Sequence, residues 1–92
     1  MSEQNEYTYE QILNYEVASE LCNTRIAQCS ARIGEEEAKA VPDEALIEQV
    51  RQDLFAISNE RSAVRLTDDA AVDAWIKHSQ VELKQQKARY WG

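Results

Sequence analysis

The chain has little that bends a backbone. Its 92 residues include two glycines and one proline. Tight turns draw on those residues, so a fold built from many short connections is disfavoured and a few long helices are favoured. Histidine occurs once, at His78. A Ser-His-Asp or Cys-His set would have to use it, and its neighbours Ile76, Lys77 and Ser79 form no such signature. His78 reads as a surface histidine on a charged helix face. No glycine-rich loop is available to cradle phosphate, which argues against an ATP- or NAD-dependent enzyme. No stretch approaches the roughly 20 apolar residues that span a bilayer. The segment Met1 to Tyr9 is polar and acidic, unlike a signal peptide. A cytoplasmic protein without a membrane segment is expected.

Cysteine is also sparse. Cys22 and Cys29 lie seven residues apart in one expected helix. Two turns separate them by ~10.5 Å of rise, too far for a mutual disulfide. The spacing is wrong for one zinc ion as well. They read as small buried thiols at core positions. The alternative is a redox-sensitive seam between two copies. Carboxylates abound, but a di-metal carboxylate bundle needs Glu-x-x-His, and Trp75 stands three residues before His78. No catalytic residue, metal or cofactor is expected.

Basic residues are outnumbered, 10 against 17 acidic, for a net charge of −7. That balance opposes contact with nucleic acid or an anionic membrane and favours a basic partner. No Lys or Arg precedes Arg25, whereas Glu3, Glu6, Glu10, Glu16 and Glu20 do. Lys77, Lys84, Lys87 and Arg89 cluster at the other end.

Apolar residues, at 43%, supply enough material for one thin core. Residues 1–7 read as a flexible leader and 8–92 as one helical domain. Thr8 and Gln11 have the spacing of a capping box, which opens a helix over about 9–33. Its seam combines Ile12, Ser19, Ile26 and Ile33 with Tyr15, Cys22 and Cys29. Gly34 reads as its stop. Leu13, Val17 and Leu21 form a second apolar line beside the seam. One partner helix would not cover both lines, so three helices or a dimer are expected. Residues 35–41 read as a connector, with Glu35, Glu36 and Glu37 a solvated run.

Pro42 suits the first turn of a second helix over about 42–66, with Ile47, Val50, Leu54, Ile57, Arg61 and Val64 on its inner stripe. Thr67 reads as the cap of a third helix over about 68–90, which carries Val72, Trp75, Ile76, Leu83 and Tyr90. Ser79 and Gln86 interrupt that stripe as polar breaks. The junction of helices two and three lacks Gly and Pro, so a kink there is an alternative to a reversal. The expected fold is all-α: a small antiparallel three-helix bundle, or a long helical hairpin plus a third helix, with a homodimer as a further option. In an up-down-up bundle the basic end of helix three would lie beside Glu35–Glu37.

The leading functional expectation is a non-enzymatic module, an adaptor or inhibitor that binds a partner protein. Residues 84–91 interleave cations and aromatics, and Trp91 is hard to bury so near the end of the sequence. Trp91 is therefore the first contact candidate, followed by Tyr90 and Trp75. Leu13, Val17 and Leu21 form a second candidate surface. Glu6, Glu10, Glu16 and Glu20 support an alternative, in which a rigid row of carboxylates imitates the phosphates of DNA and occupies the groove of a nucleic-acid-binding protein. The third expectation is a structural subunit that dimerises through helix one. Short acidic helical chains of this style are common among phage, plasmid and accessory bacterial genes.

Overall fold

A computed structural model describes residues 7–92. Of the expected leader, residues 1–6, with Glu6 among them, lie outside the described residues. The described residues form three helices: α1 Tyr9–Glu37, α2 Glu44–Ala63 and α3 Asp69–Trp91. Contacts at both ends of α1 establish the topology. Near its start, Gln11 Nε2 donates to Asp69 at the beginning of α3, and the carbonyl of Ser19 accepts from Arg61 near the end of α2. Near its finish, Glu36 accepts from the backbone of Asp43, before α2, and Arg32 donates to the carbonyl of Tyr90 in α3. Consecutive helices are thus antiparallel, and α1 is parallel to α3. This is an up-down-up three-helix bundle. Both later helices pack on α1, which forms its spine.

Local chemistry explains the boundaries. Thr8 Oγ1 accepts from the Gln11 backbone at 3.1 Å, and the Gln11 side chain accepts from the Thr8 backbone at 2.8 Å. The expected capping box is therefore complete. α1 does not stop at Gly34. It runs on to Glu37, because Gly34 keeps helical backbone and Glu36 has work to do beyond it. Pro42 does not enter the first turn of α2: the helix starts at Glu44, and Asp43 caps it, accepting from Leu46 N at 3.1 Å, which leaves the proline one residue outside. α2 ends at Ala63, earlier than expected, because Val64 turns to extended backbone. Asp68, not Thr67, caps α3, accepting from Ala71 N at 3.1 Å. The α2–α3 junction is a reversal closed by an Asp68 N to Arg65 O bond of 3.0 Å, with no residue in the left-handed region.

The core follows heptad spacing, although α1 is rotated from its expected setting. Its most buried line is Ala18, Cys22, Arg25, Cys29 and Glu36. The line Ile12, Ser19, Ile26 and Ile33 is only half-buried, on one flank. Ile47, Val50 and Ile57 of α2 meet this spine, with Leu54 and Val64 beside them. From α3 come Val72 and Trp75, the latter tilted against Tyr15 with ring centres 5.9 Å apart. Ile76 and Leu83 are half-buried. Cys22 and Cys29 are free, fully buried thiols. No helix of the described residues is long and apolar enough to cross a membrane.

Candidate partner-binding surfaces

The lower half of the bundle is held together by polar groups. Arg25 is 2% exposed, and its guanidinium grips both oxygens of Glu60, at 2.8 and 3.1 Å. The same NH1 reaches Ser79 Oγ at 2.9 Å. Gln86 donates to the Arg25 carbonyl at 2.8 Å. Tyr90 donates to Asp53 at 2.6 Å and touches Cys29 Sγ at 3.5 Å. The polar breaks of α3 are therefore the residues that bind α3 to the spine. Burial opposes ionisation of Glu60, but the hydrogen bond and charge of Arg25 prevail and hold its carboxyl below the usual range. Burial raises the Cys29 thiol above its ordinary value. Burial, then the bond to Asp53, also pushes the Tyr90 phenol upward.

Glu36 organises the α1–α2 connector. Its carboxylate accepts from Asp43 N at 2.9 Å, from Arg32 at 3.0 Å and from Lys39 at 2.9 Å. The Asp43 amide is the largest reason its pKa falls to about 2, followed by the bonds from Lys39 and Arg32. The glutamate run is thus divided. Glu36 is a buried clamp, while Glu35 and Glu37 stay exposed.

A shallow cleft separates α2 from α3, with Arg25 at its floor and Asp53, Glu60, His78, Glu82, Gln86 and Arg89 around it. His78 is half-exposed, with Nε2 3.4 Å from Glu60. The groups in this cleft bond chiefly to one another: Ser79 Oγ accepts from Arg25, and Glu60 is shared between Arg25 and His78. No group of three or more His, Cys, Asp or Glu residues capable of holding a metal ion occurs among the described residues.

The expected contact residues fall into three settings. Trp75 is buried in the core and cannot meet a partner, because its ring fills the space beside Tyr15. Tyr90 is half-buried, its hydroxyl turned inward to Asp53. Trp91 is 42% exposed. Its Nε1 donates to Glu35 at 2.6 Å, and its ring stands edge-on to Tyr90 at 5.7 Å. That bond brings the end of α3 beside the glutamate run, as an up-down-up path requires.

Trp91 completes a surface that the sequence reading did not assemble. Lys77, Val81, Lys84, Ala88 and Trp91 are all exposed and follow a 4-3-4-3 spacing on the outer side of α3. The stems of Lys84 and Lys87 wall a shallow depression against Ala88 and Trp91. The signal was present as a second ladder opposite the core ladder of Val72, Trp75, Ser79 and Gln86.

On α1, Leu13 and Val17 are 42% and 50% exposed, and Leu21 is half-buried. Leu13 and Val17 are left largely uncovered by α2 and α3. The width of the buried face comes instead from Ala18 and Arg25. Glu10, Glu16 and Glu20 are exposed around the same surface. Glu16 and Glu20 share a stripe, Glu10 is rotated from it, and no further carboxylate follows on the outer face until Glu35.

Comparison of the chain with protein-family models, with curated proteins and with solved structures finds no match.

Proposed function

We propose that the chain is a non-enzymatic protein-binding module whose contact surface is the outer side of α3. The observation that carries this reading is Trp91, a large aromatic left exposed yet held in one orientation by Glu35 and Tyr90. Binding costs entropy when side chains must be immobilised, so an anchor already fixed retains more of its burial as affinity. Val81 and Ala88 extend the apolar strip, and Lys77, Lys84 and Lys87 form a basic rim. The local charge is opposite to the net −7 of the chain, so the surface that meets it is apolar at its centre and acidic at its edge.

The test is site-specific photo-crosslinking in extract from the source cells. A crosslinker at position 91 should capture a discrete partner. The same group at position 55, where exposed Phe55 lies on the outer side of α2, should not. Lys84→Glu combined with Lys87→Glu should abolish capture at 91. Equal capture from both positions, or capture indifferent to the charge reversal, would defeat the reading.

A further inference from the structure

The outer side of α3 is shaped as well as apolar. Two shallow depressions follow one another along it. Lys77, Gln80, Val81 and Lys84 enclose the first, with Gln85 at its rim. Lys84, Lys87, Ala88 and Trp91 enclose the second, with Gly92 at its rim. Each set of four stands at i, i+3, i+4 and i+7, and Lys84 closes one depression and opens the next. Four residues at that spacing form the hole into which a facing helix inserts a side chain. Val81, Ala88, Trp91 and the methylene stems of the lysines make the lining apolar.

Pitch decides what fits. The two holes are one heptad apart, ~10.5 Å at 1.5 Å of rise per residue. A facing helix repeats its seam at the same interval, so two of its apolar side chains reach both holes at once. An extended segment sets its same-face side chains ~6.6–6.8 Å apart and falls out of step. A nucleic-acid strand would have to approach a chain of net charge −7.

Charge narrows the chemistry. From Lys77 to Trp91 the single carboxylate of α3 is Glu82, which is half-buried and lines the cleft toward α2. Lys77 is paired with Asp73 at 3.0 Å. Lys84 and Lys87 form no ion pair among the described residues. Acidity returns at the Trp91 end, where Glu35 accepts from the indole and Glu37 is exposed. The unmatched positive charge therefore lies around Lys84 and Lys87, between the holes and beside the second.

We infer that the partner presents an amphipathic α-helix along the Lys77–Trp91 stretch of α3, an inference that rests on the reading of this side as a protein-binding surface. The helix inserts two apolar side chains one heptad apart and sets carboxylates against Lys84 and Lys87. The contact runs over ~21 Å at 1.5 Å of rise per residue, about two heptads of partner helix.

The experiment reads the register of the contact. Photo-crosslinkers are placed singly at positions 81, 88 and 91 of the full chain in extract from the source cells, and mass spectrometry of the digested adducts locates the partner residues captured. Sites captured from 81 and 88 should lie about seven residues apart, the number a helix needs to cover ~10.5 Å. Sites about three residues apart would identify an extended segment and overturn the helix. Adducts to nucleotide instead of peptide would overturn it too. Ala88→Arg fills the second hole while adding a cation, so capture from 81 should drop at least about tenfold, ~1.4 kcal/mol, with the unfolding temperature unchanged. Equal or stronger capture would mean that charge alone holds the partner and the holes stay empty. Capture at 91 with none at 81 and 88 defeats the helix and spares the surface, whereas no capture from any of the three positions defeats both.

Discussion

Exchanging Arg25 for methionine removes the cation at the centre of the bundle while keeping much of its volume. The cost follows from what stays behind. The Glu60 side chain is 29% exposed, so its carboxylate would sit largely out of water with half-exposed His78 as its remaining neighbour. Breaking a buried ion pair on one side costs ~3–5 kcal/mol, and the residual solvent contact of Glu60 places this case near 3 kcal/mol. For a domain of this length that corresponds to a fall in Tm of roughly 12–24 °C, at ~4–8 °C per kcal/mol. Removing both charges, as in Arg25→Met with Glu60→Leu, leaves no orphan. Arg25 Nε has no partner in the folded chain, so methionine forfeits nothing there. The freed Ser79 hydroxyl can turn to a carbonyl of its own helix, as serine commonly does. The double variant should therefore lie within about 1 kcal/mol of the parent. Urea unfolding followed by circular dichroism at neutral pH measures all three proteins. A double variant as unstable as the single one would refute the reasoning, since the loss would then come from packing rather than from an uncompensated charge. A single variant within about 1 kcal/mol of the parent would refute it too, by showing that the pair behaves like an exposed one.

Three further outcomes can be checked. Glu36 has a folded pKa of about 2 against an ordinary 4.5, so its contribution is complete above pH 4.5 and is lost as pH falls toward 2. Glu36→Gln should flatten the acid limb of a stability-versus-pH curve across that window, and an unchanged limb would show that the Asp43, Arg32 and Lys39 contacts carry no weight. Tyr90 is displaced upward, so the stability it confers is present below its ordinary value near 10 and fades as pH rises beyond it. In an ultraviolet alkaline titration the last tyrosine to ionise should disappear in Tyr90→Phe; a titration curve identical in shape would contradict the buried Asp53 bond. Gly34→Ala should raise stability by roughly 0.5–1 kcal/mol, because the new Cβ enters open space and glycine no longer loosens the helix. A fall in stability would mean that the position needs glycine.

Much of the architecture was legible without coordinates. Scarce breakers, the Thr8–Gln11 box and apolar residues at helical spacing specify three helices, because capping and amphipathic burial act over neighbouring residues. The fully buried positions of Cys22 and Cys29 followed from the same periodicity. Boundaries were harder. α2 starts at Glu44 behind an Asp43 cap, so Pro42 lies outside it, and Asp68 rather than Thr67 caps α3; choosing among adjacent starting residues depends on where each helix docks. Tertiary structure alone decided which face of α1 points inward. Heptad lines compete there, and the winner contains Arg25 and Glu36: Arg25 is tolerable in the core because Glu60 and Ser79 meet it from 35 and 54 residues away, and Glu36 because Arg32 and the Asp43 amide meet it across the end of the helix. Ser79 and Gln86 read as interruptions for the same reason: a buried polar group is recognised by its partners, and those lie 54 and 61 residues away. The exposed ladders on α1 and α3 emerge from that choice, since a helix face is outer only once its neighbours have taken the other side.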